Sequence, residues 1–393
     1  MEISKTYNRW VEIQLDTLAD NYRTIRNYLP QSIKIMAVVK ANGYGFGAVA
    51  AAKIFVDCGV DALAVTTLDE AIELRLADIT TPTLVFAPLL PEEISLYAQY
   101  DLMPTIANLP AAKALGQAAE GVSLCYHLKI NTGMNRMGIL PQEIPLVLEE
   151  LKKCPQHTMG GVYSHFATAL DANTSFAKKQ FHVFQSALEQ VRAGGFMGFT
   201  AHLANSAGML RLAEARLDMV RIGSILYGQL PLAKSFDLSL KDPFTVCAKI
   251  IDLQQINKGD SVGYGRDFIA KRNMELAVIP IGYADGFAMT VQARPLNAKR
   301  AFQEMSKNMG KVVLKRPQNG VYWGVHRLPV VGRVSMQCTV FDVTGIGARL
   351  GQTVTVPMRK LATNARLPRV YLQEGQIVGI CDILERQQEM GQR

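Results

Sequence analysis

From about residue 30 to 230, short apolar runs alternate with stretches whose apolar residues recur every three or four positions. The runs are Ile35–Lys40, Ala62–Thr66, Thr83–Ala87, Leu102–Ile106, Ser123–Ile130, Gly160–His165, Thr200–Leu203 and Met219–Ile222. They are short and largely apolar, the pattern of strands buried on both faces. Between them, Leu68–Leu76, Pro110–Ala119, Gln142–Lys152 and Ala177–Ala193 carry the helical period. Eight alternations of strand and helix predict a closed (β/α)8 barrel. The rival, an open doubly wound sheet, rarely runs to eight strands without a Gly-x-Gly-x-x-Gly turn after the first. Ahead of the barrel, Trp10–Leu15 reads as one strand. A helix follows over Thr17–Leu29 with Asp16 at its N-cap.

The period changes after about Ser239. Val246–Leu253, Glu275–Pro280, Val321–Val325, Val330–Val334, Thr339–Val343, Thr353–Val356 and Ile377–Ile380 read as strands punctuated by Gly and Pro. The expected organisation is a barrel domain over 1–240, including the N-terminal strand, and a mainly antiparallel β domain over 241–393. Ala288–Arg327 reads as an insertion. It holds eight Lys or Arg and one acidic residue, Glu304, with a surface helix over Ala298–Met309. The polar end Leu384–Arg393 reads as frayed.

Composition narrows the class. The chain has 393 residues, 49% hydrophobic and 19% charged, enough for a large core and two domains. It has no apolar run of about 18 residues, so no spanning helix is expected, and MEISKTYNRW lacks the apolar region of a secretory signal. The six cysteines are scattered without metal spacing and read as reduced thiols of a cytoplasmic protein. The six histidines show no zinc pattern. The net charge of +8 is interspersed and lacks an aromatic-basic binding motif, so no nucleic-acid partner is expected.

Chemistry enters at the strand ends, where barrels of this kind form their sites. The apolar run Ile35–Val39 leads straight into Lys40, and a Gly-rich loop with Tyr44 follows. Burial would lower the pKa of such a lysine and free its amine as a nucleophile toward an aldehyde cofactor. The plainer reading is a lysine that reaches back to solvent. The fifth barrel strand ends at Lys129, Asn131, Thr132, Gly133 and Arg136. The sixth ends at Ser164 and His165, the seventh at Asn205, Ser206 and Gly208, and the eighth at Arg221, Gly223 and Ser224. A planar anionic cofactor bearing a phosphate suits this set. Ser206, Gly223 and Ser224 can donate to phosphate, His165 can lie on a ring face, Arg221 can meet a ring nitrogen, and Arg136 can fork onto an oxyanion. Taken singly, Arg221 could pair with a barrel carboxylate, His165 could be a satisfied core histidine, and Ser206 could cap a helix. Their joint placement is what those readings leave unexplained.

VVKANGYGFG, KINTGMNRMG at 129–138, YSHFA at 163–167, HLANSAG at 202–208, VRIGSILYG at 220–228, VGYGRDF at 262–268, IPIGYADGF at 279–287 and VVGRVSM at 330–336 resemble, in order, the signatures of the alanine racemases. The resemblance covers about 10–345. It implies interconversion of L- and D-alanine by two bases and pyridoxal 5'-phosphate (PLP), in a homodimer with shared sites, supplying D-alanine for peptidoglycan. By it, Lys40 looks like the lysine that carries the cofactor and one catalytic base. Tyr264 looks like the opposite base, from the partner subunit. Arg221 resembles the pyridine-nitrogen partner, His165 the ring-packing histidine, and Arg136 the residue near the phenolic oxygen and the substrate carboxylate. Tyr44, Asn205, Ser206, Gly223 and Ser224 resemble the cofactor-binding set. Lys129 matches a lysine that is carbamylated in many members. Met336 matches a backbone contact to the substrate carboxylate, and Tyr283 the substrate entrance.

The sequence departs from the family at three places. Gln337 stands where Asp usually follows Met. After Thr344 the chain is shorter than usual, and no tyrosine matches the family's phosphate-contacting one upstream of RLPR at 366–369. Ala288–Arg327 is longer than usual. Other readings are racemisation of another small amino acid such as serine, a barrel PLP decarboxylase, which would need a Gly-rich phosphate run late in the barrel, and a non-catalytic PLP-binding protein, which would lack the β domain with Tyr264.

Overall fold

The computed structural model describes residues 6–119, 121–289 and 320–381. The expected surface helix Ala298–Met309, most of the insertion that holds it, and the polar end from 384 onward lie outside the described residues. Two compact units divide the chain, one over Leu15–Pro243 and one formed by the N-terminal segment up to Gln14 with the chain from Phe244.

The first unit is the barrel. Strands β2 (Lys34–Val38), β3 (Ala62–Val65), β4 (Thr83–Pro88), β5 (Met103–Ile106), β6 (Cys125–Lys129), β7 (Thr158–Tyr163), β8 (Thr200–His202) and β9 (Met219–Ile222) lie parallel in sequence order, with β9 returning beside β2. The gap between β8 and β9 is closed by Asp218 N–H to Ala201 O (3.1 Å) and Arg221 N–H to Ala204 O (2.9 Å). β3 and β9 are buried at every position, as their apolar runs require. Met36, Val38, Ala64, Leu84, Tyr163 and Met219 form one interior cluster.

Helices clothe the sheet: α1 (Leu15–Tyr28), α2 (Ala48–Asp57), α3 (Leu68–Leu76), α4 (Ile94–Gln99), α5 (Leu109–Leu115), α6 (Ile144–Lys152), α7 (Ser175–Ala193) and α8 (Ser206–Arg211). Helix α1 buries Leu18, Tyr22 and Ile25 on one face. Asp16 is not its N-cap: the helix already begins at Leu15, and Asp16 sits in the first turn, where its charge favours the helix N-terminus. Asn108 caps α5 by accepting from Ala111 N–H at 2.8 Å. Helices α2 and α4 were not foreseen.

The second unit contains β1 (Arg9–Gln14), β10 (Phe244–Lys249), β11 (Asp252–Ile256), β12 (Ser261–Val262), β13 (Phe268–Ile269), β14 (Met274–Ile279), β15 (Gly320–Trp323), β16 (His326–Pro329), β17 (Thr339–Asp342), β18 (Thr353–Val356), β19 (Arg369–Gln373) and β20 (Gln376–Cys381). Its largest sheet runs β16-β15-β18-β10-β1-β19-β20, beside three-stranded β11-β14-β17 and the pair β12-β13. The N-terminal strand is therefore not part of the barrel domain. It lies antiparallel to β10 and parallel to β19, and Trp10 packs with Cys247 and Val370. Val246–Leu253 is not one strand: the chain leaves β10 at Lys249 and enters a different sheet as β11. Val330–Val334 is not a strand either. Pro329 ends β16, and Val330 makes only an isolated bridge to Phe341. The two-residue β12 and β13 were too short to read.

Inside this unit Arg9 Nη1 donates to both Asp285 oxygens at 2.9 Å and to Pro280 O at 2.8 Å, while Asp285 also accepts from Gly282 N–H at 3.0 Å. Asp285 is buried, so removing its carboxylate strands a partly buried guanidinium. Asp285→Ala is expected to lower the stability of this unit by roughly 2 kcal/mol, against little change for Asp20→Ala at an exposed ion pair. Urea unfolding followed by a probe in the β unit checks the difference.

Candidate active site

The chain is buried from Ile35 in β2 through Val39 and delivers Lys40, half-buried, at the C-terminal end of the barrel. The next residues turn left-handed: φ is +53° at Ala41, +52° at Asn42, +59° at Gly43 and +57° at Tyr44. For residues with a Cβ this conformation costs about 1–2 kcal/mol each. Side chains hold it. Glu70 Oε1 accepts from Ala41 N–H at 2.6 Å and its Oε2 from Thr66 N–H at 2.8 Å, tying the turn to the end of β3. Asn42 Oδ1 accepts from Ala48 N–H at 3.0 Å. The turn brings Lys40 and Tyr44 to one cavity.

That cavity, of about 180 Å³, is lined by Lys40, Tyr44, His165, Asn205, Ser206, Arg221, Gly223 and Ser224, with Val38, Phe86 and Leu230 among its apolar walls. All of the cofactor-binding candidates thus meet in one place. Asn205 caps α8 by accepting from Gly208 N–H at 2.9 Å, so Ser206 is not the cap. Its Oγ accepts instead from Gly223 N–H at 3.2 Å. Gly223 leaves its backbone bare to Tyr44: a Cβ there would sit 2.3 Å from Tyr44 Oη. Tyr44 stacks on Tyr227 at 4.9 Å, and burial pushes its phenol up to about 12, so it remains a hydroxyl donor at neutral pH.

Arg221 on β9 is 3% exposed. Nη1 donates to His202 O (2.7 Å) and His202 Nδ1 (3.0 Å). Nη2 donates to Ser164 O, to Leu203 O (3.3 Å) and to His165 Nδ1 (3.4 Å). Among the described residues no carboxylate pairs with it, contrary to the plainer reading. Arg221 also lines the cavity. Burial pushes Arg221 down to about 10, still charged at neutral pH. His165 lies well below the usual histidine range, through burial first and then the Arg221 charge, and is a neutral ring.

Lys129, at the end of β6, is buried with its Nζ 4.3 Å from the Tyr163 ring centroid. Burial first, then Arg221 and Arg136, hold it well below the usual lysine value. With the exposed Arg136 and with His165 it lines a small neighbouring hollow. Asn131 Oδ1 shapes that loop by accepting from Gly133 N–H (3.0 Å) and Asn135 N–H (3.1 Å). Among the described residues the head of the barrel therefore presents cations and hydroxyl donors with no carboxylate on the cavity wall. This donor set fits a phosphate-bearing, carbonyl-bearing anion such as PLP.

The remaining candidates lie in the β unit. Tyr264, 73% exposed, stands between Gly263 (φ +78°) and Gly265 (φ +71°) in a short turn. Tyr283 N–H donates to Ser335 O (3.1 Å) and Ala284 N–H to Met336 O (2.9 Å), so the Tyr283 and Met336 loops are joined. Gly282 permits this approach: a Cβ there would lie 2.2 Å from Ser335 O.

Family models for the alanine racemase N-terminal domain and C-terminal domain match residues 13–231 and 244–371. The chain belongs to the alanine racemase family. It is an isomerase of the racemase class. It is 33% identical to alanine racemase 2 of Caldanaerobacter subterraneus, over 95% of this chain and 97% of that one. It is 30% identical to alanine racemase 1 of Bacillus subtilis, over 94% and 95%. Among solved structures it resembles alanine racemase from Bacillus anthracis with bound L-Ala-P, at a TM-score of 0.84 and 29% identity, covering 96% of this chain and 98% of that one. Sequence reasoning about this racemase missed Glu70, which the spacing Thr67-x-x-Glu70 could have flagged as a helix-start signal. It also gave His202 no role, although His202 opens the quoted motif HLANSAG.

The Lys40 ammonium is held below its usual 10.5 by burial first and Arg136 second, with Glu70 opposing. A lowered lysine value means that the unfolded chain binds more protons between the folded value and 10.5. Lys40 thus destabilises the fold fully at lower pH, and the penalty lifts as pH rises through that window. In cofactor-free protein, competitive acylation of Lys40 should reach half-maximum below pH 10.5. Arg136→Met should move that midpoint upward. A wild-type midpoint at or above the usual value would contradict the assignment.

Proposed function

We propose that this chain interconverts L- and D-alanine with PLP, with Lys40 and Tyr264 as the two groups that exchange the Cα proton. The observation that carries the reading is the cavity that joins Lys40 to hydroxyl donors, a carboxylate-free arginine and a neutral histidine. PLP, when bound, supplies an electron sink that acidifies the Cα–H of an amino acid joined to it. Lys40 would hold the cofactor carbonyl carbon through Nζ. The hydroxyls of Tyr44, Ser206 and Ser224, with the backbone at Gly223 and the cap at Asn205, would hold the phosphate end. Arg221 would donate to the ring nitrogen without giving its proton up, which would limit electron withdrawal into the ring. His165 would lie against the ring face.

Racemisation needs a proton taken from one face of Cα and returned on the other. The depressed Lys40 supplies an amine for one face. Tyr264 would supply a phenol for the other, from a second copy of the chain in a homodimer, and its exposure supports that reading. Arg136 and the Met336 backbone would receive the substrate carboxylate, and Tyr283 would line its approach. Lys129, held well below the usual lysine value by burial first and then by Arg221 and Arg136, is suited to carbamylation, and the resulting anion would answer Arg136. Six free cysteines support a reducing, cytoplasmic setting.

With PLP and a panel of small amino acids, alanine should interconvert fastest. Serine as the better substrate would replace the substrate assignment and keep the chemistry. In heavy water, Lys40→Ala and Tyr264→Phe should suppress proton exchange from opposite enantiomers, and equal loss from both enantiomers in Tyr264→Phe would reject the division between faces.

Assembly gives a separate check. Mixed after dissociation, the two inactive variants should recover up to about a quarter of wild-type activity, because half the randomly formed dimers carry one intact site. No recovery while mixed dimers demonstrably form would place both groups on one chain.

A further inference from the structure

The barrel interior holds two histidines that the proposed chemistry does not use. His127 on β6 and His202 on β8 are 4% and 0% exposed. His127 Nδ1 lies 2.9 Å from His202 Nε2, and His202 Nδ1 lies 3.0 Å from Arg221 Nη1. Valence orders the protons along this chain. A guanidinium only donates, so His202 Nδ1 must be bare and accept. Burial and then Arg221 hold His202 well below the usual histidine value, so the ring is neutral and its one N–H is on Nε2. That N–H is directed at His127 Nδ1, which must accept. Burial and Arg221 push His127 down to about 3, so it too is neutral, with its proton on Nε2.

The packing is built around this order. Tyr163 stacks on His202 (5.1 Å, 16° between planes), and His127 meets His202 edge-on (5.0 Å, 78°). Tyr163 is fixed in turn by its hydroxyl against Thr105 Oγ1 at 2.8 Å. Room for His127 comes from β7. Gly161 pairs with it across the sheet, and a Cβ at Gly161 would lie 2.5 Å from His127 Nδ1.

We infer that His127 is a positioning residue for the ring-nitrogen site: it holds His202 as the Nε2–H tautomer, which turns a lone pair toward Arg221 and fixes the guanidinium that faces the cavity. The inference rests on the reading of Arg221 as the ring-nitrogen partner. Without His127 the buried His202 N–H has no acceptor. A half-turn of the ring about Cβ–Cγ would then replace Nδ1 by a C–H and cost Arg221 a bond.

The test uses protein labelled with nitrogen-15 histidine, without added cofactor. Two-bond proton–nitrogen correlation spectra report each tautomer directly. Wild type should show His202 and His127 both as Nε2–H. His127→Phe should lose the single-tautomer pattern of His202. His127→Gln, whose amide oxygen can accept from Nε2–H, should keep it. Gly161→Ala, which displaces the His127 ring without changing its chemistry, should behave as His127→Phe. In PLP-loaded protein, His127→Phe and Gly161→Ala should lower kcat about tenfold or more with KM within about threefold, and His127→Gln should recover part of the loss. An Nδ1–H His202 in wild type overturns the inference. So does a His202 pattern and kcat unmoved in His127→Phe or, where that variant does not fold, in Gly161→Ala. Wild-type protein that shows the stated tautomers but racemises nothing would reject the functional reading and leave the proton order standing.

Discussion

The head of the barrel is governed by one constraint: among the described residues it gathers cations and places no carboxylate on the cavity wall. Two like charges 4 Å apart cost about 4 kcal/mol at an effective dielectric of 20. The chain meets this cost differently at each group. Arg221 does not lose its proton, so it is wrapped in neutral acceptors, the carbonyls of His202, Ser164 and Leu203 and two imidazole nitrogens. Lys40 and Lys129 can yield, and both are pushed below the usual lysine value. Burial first, and repulsion from Arg136 second, lower the proton affinity of Lys40 in the same cavity that is receptive to anions.

The same site stores backbone strain. Four successive left-handed residues after Lys40 would not persist in an isolated chain. Glu70 is the tie, bridging Ala41 N–H and Thr66 N–H between the ends of two neighbouring strands. A carboxylate is thus present near Lys40, but its oxygens are occupied by backbone donors. It relieves the Lys40 charge only weakly while shaping the turn that carries Lys40 and Tyr44.

The barrel was legible because its strands are buried on both faces. A run such as Ala62–Val65 has no polar face, and helices between eight such runs favour a closed barrel over an open doubly wound sheet. The site was legible for a related reason: strand ends converge, so residues far apart in sequence could be placed together at Lys40, His165, Ser206 and Arg221. What escaped depended on long-range pairing. Trp10–Leu15 carries Glu12 and Gln14 among its apolar residues, a pattern that does not name its sheet, and its partners β10 and β19 place it in the other unit. Asp16 had the right chemistry for a cap, but the helix starts one residue before it. Ser206 yielded the cap to Asn205, whose side chain reaches Gly208. His127 and His202 look like any core histidines until the 2.9 Å contact between them is known.

In the proposed two-base reaction the barrel head supplies one of the two proton-exchanging groups. Arg221 keeps its proton. His165, His202 and His127 are neutral far below the working range, and Tyr44 and Tyr163 are pushed up to about 12 by burial. Lys129 is enclosed against the Tyr163 ring rather than on the cavity wall. Lys40 is the group on that wall whose proton affinity has been moved toward neutrality while it stays reachable from the cavity. A barrel arranged this way offers one proton-exchanging side chain and a surround that neither gives nor takes protons. Inversion at a carbon needs two such groups on opposite faces, so the second must be carried by other structure. In the proposed reaction that group is Tyr264, which stands exposed between two left-handed glycines on a short turn of the β unit.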